Sequence, residues 1–175
     1  MTKIVSERLA LRPLKESDLE TTHKYASCPE NSEFIEFLPN ETLEDTATFL
    51  AWASSQWESD NQKAYEFAIL LDDKHIGATS ANIEDGGVVS IGWIVRKDHW
   101  GKGYATEAAK AVLSFAFDVL DAEKVIATCD YRNAASIKVM EKIGLTFENG
   151  DRLRSYKNGK KDVQELLYSI KRDNR

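Results

Sequence analysis

The sequence predicts an α+β domain built on a central mixed β-sheet. Segments of strand period and segments of helical period are interspersed without strict alternation. Three of the strand segments follow one another as a meander, with turn residues between them. The third observation is bulk: 175 residues with 42% hydrophobic, 30% charged and only 3 Pro fit one globular domain over residues 1–175.

Arg8 to Leu14 sets Leu9, Leu11 and Pro13 against Arg8 and Arg12, the alternation of a first strand. Lys15 to Asp18 then turns into a helix, with Ser17 or Asp18 placed to cap it. After the Pro39-Asn40 break, Leu43, Ala47, Leu50, Ala51 and Trp57 recur at helical spacing and predict a helix from Leu43 to Trp57. The meander is Tyr65 to Leu71, a turn at Asp72-Asp73-Lys74, His75 to Ile83, a turn at Asp85-Gly86-Gly87, and Val88 to Val95. Tyr104 to Leu120 gathers Ala105, Ala108, Ala109, Val112, Phe115, Ala116 and Val119 on one face of an amphipathic helix. Lys124 to Cys129 reads as a buried strand, and Asn133 to Ile143 as a shorter helix stopped by Gly144. The Asn158-Gly159 pair joins two last strands, around Arg152 to Tyr156 and Gln164 to Ile170, and Lys171 to Arg175 reads as a frayed polar tail.

A chain of this length buries roughly 70% of its unfolded surface, so neither a metal nor a disulfide is needed to complete the core. Cys28 and Cys129 lack paired C-x-x-C spacing and read as free thiols in a reducing cytosol; no metal site is expected. The start, MTKIVSERLALRPL, has no apolar stretch followed by a small-residue cleavage site, so the protein is expected to be cytoplasmic. Charges interrupt every apolar run before the ~18 residues a membrane span requires. With 29 Asp+Glu against 23 Lys+Arg, the net charge of −6 argues against direct nucleic-acid binding and for a cationic partner.

The most informative stretch runs from Ser90 to Glu107, SIGWIVRKDHWGKGYATE, which reads as strand, glycine loop and helix start. Glycines just before a helix let successive amide N–H groups converge on an anion, and the helix N-terminus adds about half a positive charge. A dinucleotide fingerprint from Gly101 would need glycine at position 106, where Thr106 stands, and Gly101 and Gly103 are too close for a P-loop.

The run Trp100-Gly-Lys-Gly-Tyr-Ala-Thr-Glu-Ala108, followed by Arg132-Asn-Ala-Ala-Ser-Ile-Lys-Val-Met-Glu-Lys-Ile-Gly-Leu145, resembles the GNAT superfamily of N-acetyltransferases, and within it the RimJ/RimL ribosomal-protein group. The likeness extends from Glu7-Arg-Leu-Ala-Leu-Arg-Pro-Leu14 to the Asn158-Gly159 hairpin. It implies a twisted sheet whose fourth and fifth strands part to admit acetyl-CoA, with no metal. It also implies pyrophosphate binding on the amides of Trp100, Gly101, Lys102, Gly103, Tyr104 and Ala105, with Thr106 at the helix start. The family's first motif position is Trp100 here, a variation similar to the RimJ/RimL group that leaves a backbone cradle intact.

In such an enzyme an amine attacks the thioester directly. The resemblance implies that backbone around Trp93, Ile94 and Val95 stabilises the oxyanion and lines the cofactor site. It also implies that Ser136, in the Asn133-x-x-Ser motif, protonates the leaving thiolate. The tyrosine used by other branches is Met140 here, which has no proton to give. Asn133 is equally a good helix N-cap, and Ser136 in the first turn equally satisfies a backbone group. Many relatives carry Glu immediately before the Ile-Gly-aromatic segment, where this chain has Ser90. Glu84, acting through water, is the candidate base, with Asp85 and Glu66 as alternatives; His99 suits packing or a ligand contact, and Glu107 a first-turn role.

Between Tyr25 and Gln62 the acidic residues Glu30, Glu33, Glu36, Glu41, Glu44, Asp45, Glu58 and Asp60 occur without a Lys or Arg. This negative field, with Phe34, Phe37, Trp52 and Trp57 nearby, suits a cationic acceptor. The leading expectation is an acetyl-CoA-dependent N-acetyltransferase acting on a protein N-terminal α-amine. A polyamine, aminoglycoside or other small amine is the alternative acceptor, and an acyl-CoA-binding sensor the alternative class. A homodimer through the strands near the C-terminus is left open.

Overall fold

The structure is a computed structural model and describes residues 3–175. Its strands are Ile4–Val5 (β1), Leu9–Pro13 (β2), Ala64–Leu71 (β3), Lys74–Ile83 (β4), Val88–Val95 (β5), Lys124–Asp130 (β6), Thr146–Arg154 (β7) and Val163–Lys171 (β8). The helices are Leu19–Ala26 (α1), Pro29–Ser32 (α2), Leu43–Gln56 (α3), Tyr104–Asp118 (α4) and Ala134–Lys142 (α5). The strands form one sheet in the order β1-β2-β3-β4-β5-β6-β8-β7. Only β5 and β6 are parallel, joined by the crossover helix α4, which makes the sheet mixed and the fold α+β as predicted.

Period-two alternation assigns each face of the sheet. Leu9, Leu11, Phe67, Ile69, Val89 and Ile91 pack in the main core with Ala108, Val112 and Phe115 of α4 and Val139 and Met140 of α5. Ala68 meets Leu50 and Ala53 of α3 on the opposite face, and Ala78 and Ile94 meet Tyr25 and Ala26 of α1. The sheet is therefore sandwiched, with α4 and α5 on one side and α1 to α3 on the other.

The feature that positions the site is a short seam. β5 pairs with β6 only at Val88 to Ser90 against Lys124 to Ile126. Beyond Ser90, β5 is held by β4 alone, and beyond Ile126, β6 is held by β8 alone. The strands part there, as the family resemblance implies for its fourth and fifth strands, here β5 and β6 because the short β1 is counted.

Four local expectations are corrected. Asp18 stands at the N-cap position of α1 but its side chain does not cap the helix: the carboxylate turns back to take hydrogen bonds from the Arg12 guanidinium at 2.7 and 2.6 Å and from Lys15 N. The last strand pair starts earlier than predicted, because β7 begins at Thr146, directly after Gly144 ends α5 at φ 92°. Asn158-Gly159 is the tip of a longer loop between β7 and β8 rather than a two-residue hairpin. The C-terminal residues are docked rather than frayed: Arg172 donates to the carbonyls of Ala122 and Phe117 and to Asp121, and Arg175 pairs with Asp118.

Candidate functional site

After β5 the chain makes a single turn at Lys97–His99 and then the loop Trp100 to Gly103, from which α4 rises. Gly101 and Gly103 sit at φ 74° and 82°, left-handed values that a side chain tolerates poorly, so glycine is required here by backbone conformation. Trp100 N donates to Lys97 O, and Glu107 N begins the regular ladder on Gly103 O at 3.0 Å. Between them, among the described residues, the amides of Gly101, Lys102, Gly103, Tyr104, Ala105 and Thr106 donate to no protein acceptor. Gly103, the helix N-cap, supplies no side chain to cover them. Converging free N–H groups at the positive end of a 15-residue helix form an anion cradle.

The loop is braced from behind by residues that the sequence reading did not connect. Glu107 takes hydrogen bonds from Ser6 Oγ at 2.8 Å, Arg8 N at 2.7 Å and Arg8 Nε at 2.7 Å. Burial alone raises the Glu107 carboxyl, but these donors outweigh it and hold it below the ordinary carboxylate range. Arg8 also donates to Lys102 O at 3.0 Å and lies 4.7 Å over the Tyr104 ring. Glu107 thus stands in the first turn of α4, as expected, and also tethers the helix to the β1–β2 turn. Lys102 is exposed and donates to Asp98 O, and His99 bonds Asp98 at 2.8 Å, a packing arrangement.

On β5, Arg96 N donates to Ile76 O of β4. Backbone groups alternate along a strand, so Ile94, in register with Ala78, also faces β4 and the amides of Trp93 and Val95 face the gap left by β6. The Val95 carbonyl on that side accepts Asn31 Nδ2 at 2.7 Å and Trp100 Nε1 at 2.6 Å. These bonds fix α2 and the loop to the same strand end. Ile94 contributes its side chain to the opposite face, beside Tyr25 and Ala78.

Across the gap, Asn133 caps α5 by accepting Ser136 N at 3.1 Å. The Ser136 hydroxyl is half-buried and has no partner among the described residues, whereas Met140 is fully buried in the core. This turn is anchored by a network that sequence reasoning missed. Asp130, at the end of β6, accepts Arg132 Nε at 2.9 Å and Arg132 N at 2.9 Å, and Tyr156 Oη from the β7–β8 hairpin at 2.6 Å. Burial raises the Asp130 carboxyl, yet the bonds from Arg132 and Tyr156 hold it far below the ordinary range. Burial and the bond to Asp130 push Tyr156 up to about 12. The local Asp-x-Arg pattern was a usable signal; the tyrosine, 26 residues on, was not.

The remaining predicted residues are dispersed. Glu84 is exposed after β4 and accepts Ser90 Oγ at 2.8 Å, near the paired end of β5 and about 10 Å along the strand from Trp93. Glu30 is tied to Lys97 at 2.7 Å and Asp45 caps α3, so part of the acidic field is structural. Trp57 packs edge-on to Tyr65 and Phe67, while Phe37 and Trp52 are exposed. α2 and the segment after it link β5 to the β7–β8 end: Asn31 of α2 holds Val95, and beyond it the Phe34 carbonyl accepts Arg154 and the Glu36 carbonyl accepts Lys157 N.

The acetyltransferase (GNAT) domain family matches residues 8–146. YnaD of Bacillus subtilis (strain 168), described as an uncharacterized N-acetyltransferase, is 31% identical over 152 residues, covering 83% of each chain. A crystal structure of an acetyltransferase (GNAT family) from Bacillus anthracis superposes with a TM-score of 0.80 at 28% identity, covering 98% of this chain and 99% of that one. RimL, a ribosomal alpha-N-protein acetyltransferase in complex with coenzyme A, shares the fold at a TM-score of 0.86 and 19% identity, covering 99% of this chain and 100% of that one.

Proposed function

We propose, from the premise that this chain belongs to the GNAT acetyltransferases, that it moves an acetyl group from acetyl-CoA to a protein N-terminal α-amine on a basic acceptor. Acetyl-CoA as cosubstrate follows from the family. The observation that carries its placement is the run of unpartnered amides from Gly101 to Thr106 beside the parting of β5 and β6. These amides suit the pyrophosphate, and the Trp93 and Val95 amides suit the negative charge that develops on the thioester oxygen. Ser136, with a free hydroxyl across the gap, hands a proton to the departing sulfur, and Asn133 holds it in place.

The choice of acceptor rests on charge and on the amine. Glu33, Glu41, Glu44, Glu58 and Asp60 have no cation partner among the described residues. An α-amine, with a pKa near ~8, is more easily neutralised at physiological pH than a lysine near ~10.4. RimL, whose fold this chain shares, is by its description an alpha-N-protein acetyltransferase. The test is thiol release from acetyl-CoA with a panel of basic N-terminal peptides, polyamines and aminoglycosides, and mass spectrometry of the products. Peptide α-acetylation above hydrolysis supports the proposal. Preferential acetylation of a small amine replaces the acceptor, and coenzyme A binding without acceptor-dependent release leaves a sensor.

A further inference from the structure

A carboxylate that the reaction above does not use lies on the α1–α3 face of the sheet. Glu66 of β3 is in register with Ser80 of β4, and Ser80 with Gly92 of β5. These three form one row running toward the parted strands, with Trp93 and its gap-facing amide next in the chain. All three are half-buried, whereas Ala68 and Ala78 in the adjacent row are buried beneath α3 and α1.

The row is open at its inner end because residue 92 has no side chain: a Cβ there would stand 3.2 Å from Ser80 Oγ. Strand spacing near ~4.8 Å puts Glu66 about 10 Å from Gly92 at the backbone, a distance that a short chain of waters spans. The Glu66 carboxylate has no hydrogen-bond or ion partner among the described residues. Tyr25 is close enough to feel the Glu66 charge, and its hydroxyl and that of Thr22 on the same helix are buried without a partner within hydrogen-bond distance, the kind of groups that hold an ordered water or a polar ligand.

The surrounding charges are otherwise committed. Arg12 of β2 is paired with Asp18 at 2.6 Å, His75 of β4 is held between Thr21 Oγ1 and Gly77 O, and Glu84 accepts Ser90 Oγ. Tyr25 of α1 is pushed up by burial, with the Glu66 and Asp18 carboxylates adding to the effect. Leu14, directly after β2, and Leu50 and Ala53 of α3 supply apolar walls. No cation among these groups answers Glu66.

On the acetyl-transfer reading, we infer that Glu66 accepts, through water along this row, the proton of the incoming ammonium group. The ammonium N–H bond breaks, its proton passes to the Glu66 carboxylate, and the freed nitrogen lone pair forms the bond to the acetyl carbon. The carbon–sulfur bond breaks with its electrons on sulfur. The second nitrogen proton ends on sulfur by way of Ser136, and Glu66 returns its proton to solvent. Burial raises the Glu66 carboxyl to about 7, so the group changes state where an α-amine must lose its proton.

The experiment compares wild type, Glu66→Gln and Glu84→Gln from pH 5.5 to 9, with acetyl-CoA and a basic peptide bearing a free N-terminus. Thiol release is read alongside coenzyme A affinity by calorimetry. Wild-type kcat/KM is expected to climb with pH through about 7. Glu66→Gln is expected to lose about a hundredfold in kcat and to lose that limb, with coenzyme A affinity unchanged. An isolated raised carboxyl destabilises the fold as pH rises above its unfolded value, so Glu66→Gln is also expected to melt higher than wild type at pH 8 and equally at pH 4. An active enzyme indifferent to Glu66→Gln at every pH, or one in which Glu84→Gln alone removes the limb, overturns the proposal. Wild type that releases no acceptor-dependent thiol overturns the transfer reading itself.

Discussion

Ser136 and Tyr156 do different work within one turn, and two substitutions separate them. The Ser136 hydroxyl is free while its backbone N–H is bound by Asn133, so Ser136→Ala removes a proton donor and leaves the cap intact. We expect kcat to fall about a hundredfold with coenzyme A affinity unchanged, read by stopped-time thiol release and calorimetry. Tyr156→Phe instead strips one donor from the buried Asp130 carboxylate and is expected to cost about 1–3 kcal/mol in urea unfolding. Because Asp130 is held below its unfolded value, its contribution is present above about pH 4 and is lost as pH falls further. The wild-type advantage over Tyr156→Phe is therefore expected to shrink on acidification. The sequence made Asn133 and Ser136 visible through local spacing. Glu66 owes its place beside Ser80 and Gly92 to strand register, and Tyr156 reaches Asp130 through the loop after β7, neither of which a single sequence displays.

At the scale of elements, what was legible was what repeats with a strong apolar period. β5 and the start of α4 fall where the alternation and helical pattern place them, with the glycine loop between them. The sequence predicts a shorter β7 because Thr146 to Asp151 is polar apart from Phe147 and lies on the outer edge of the sheet, where no buried face imposes alternation. β1 and α2 are too short to carry a period at all, at 2 and 4 residues. Yet the short β1–β2 turn matters to the site, because Ser6 and Arg8 clamp Glu107 and the loop carbonyl of Lys102. Arg8→Ala is expected to loosen the cradle rather than the acceptor side, raising KM for acetyl-CoA roughly tenfold while kcat at saturation changes less than twofold. Equal losses in kcat and kcat/KM, measured by varying acetyl-CoA at saturating acceptor, would assign Arg8 to the chemical step instead.

For the molecule as a whole, a net charge of −6 presents a difficulty, since both the cosubstrate and the protein are anionic. The cradle answers it locally with backbone dipoles at the start of α4, on the α4–α5 side of the sheet. The uncompensated carboxylates of α3 and its flanking loops stand on the other side. On the proposed reading, the two substrates would meet fields of opposite sign across the parted strands. Contacts to close backbone amides in a partly covered loop are weakly screened, whereas attraction between exposed charges fades once their separation exceeds the Debye length, about 10 Å at 0.1 M salt. Raising NaCl from 20 to 300 mM is therefore expected to increase KM for a multiply charged basic peptide several-fold. KM for acetyl-CoA should move by less than half as much, and a peptide with its basic side chains neutralised should lose the sensitivity. Equal salt dependence for the basic and neutralised peptides would detach the acidic face from acceptor capture while leaving the cradle untouched, because that cradle depends on hydrogen-bond geometry rather than on side-chain charge.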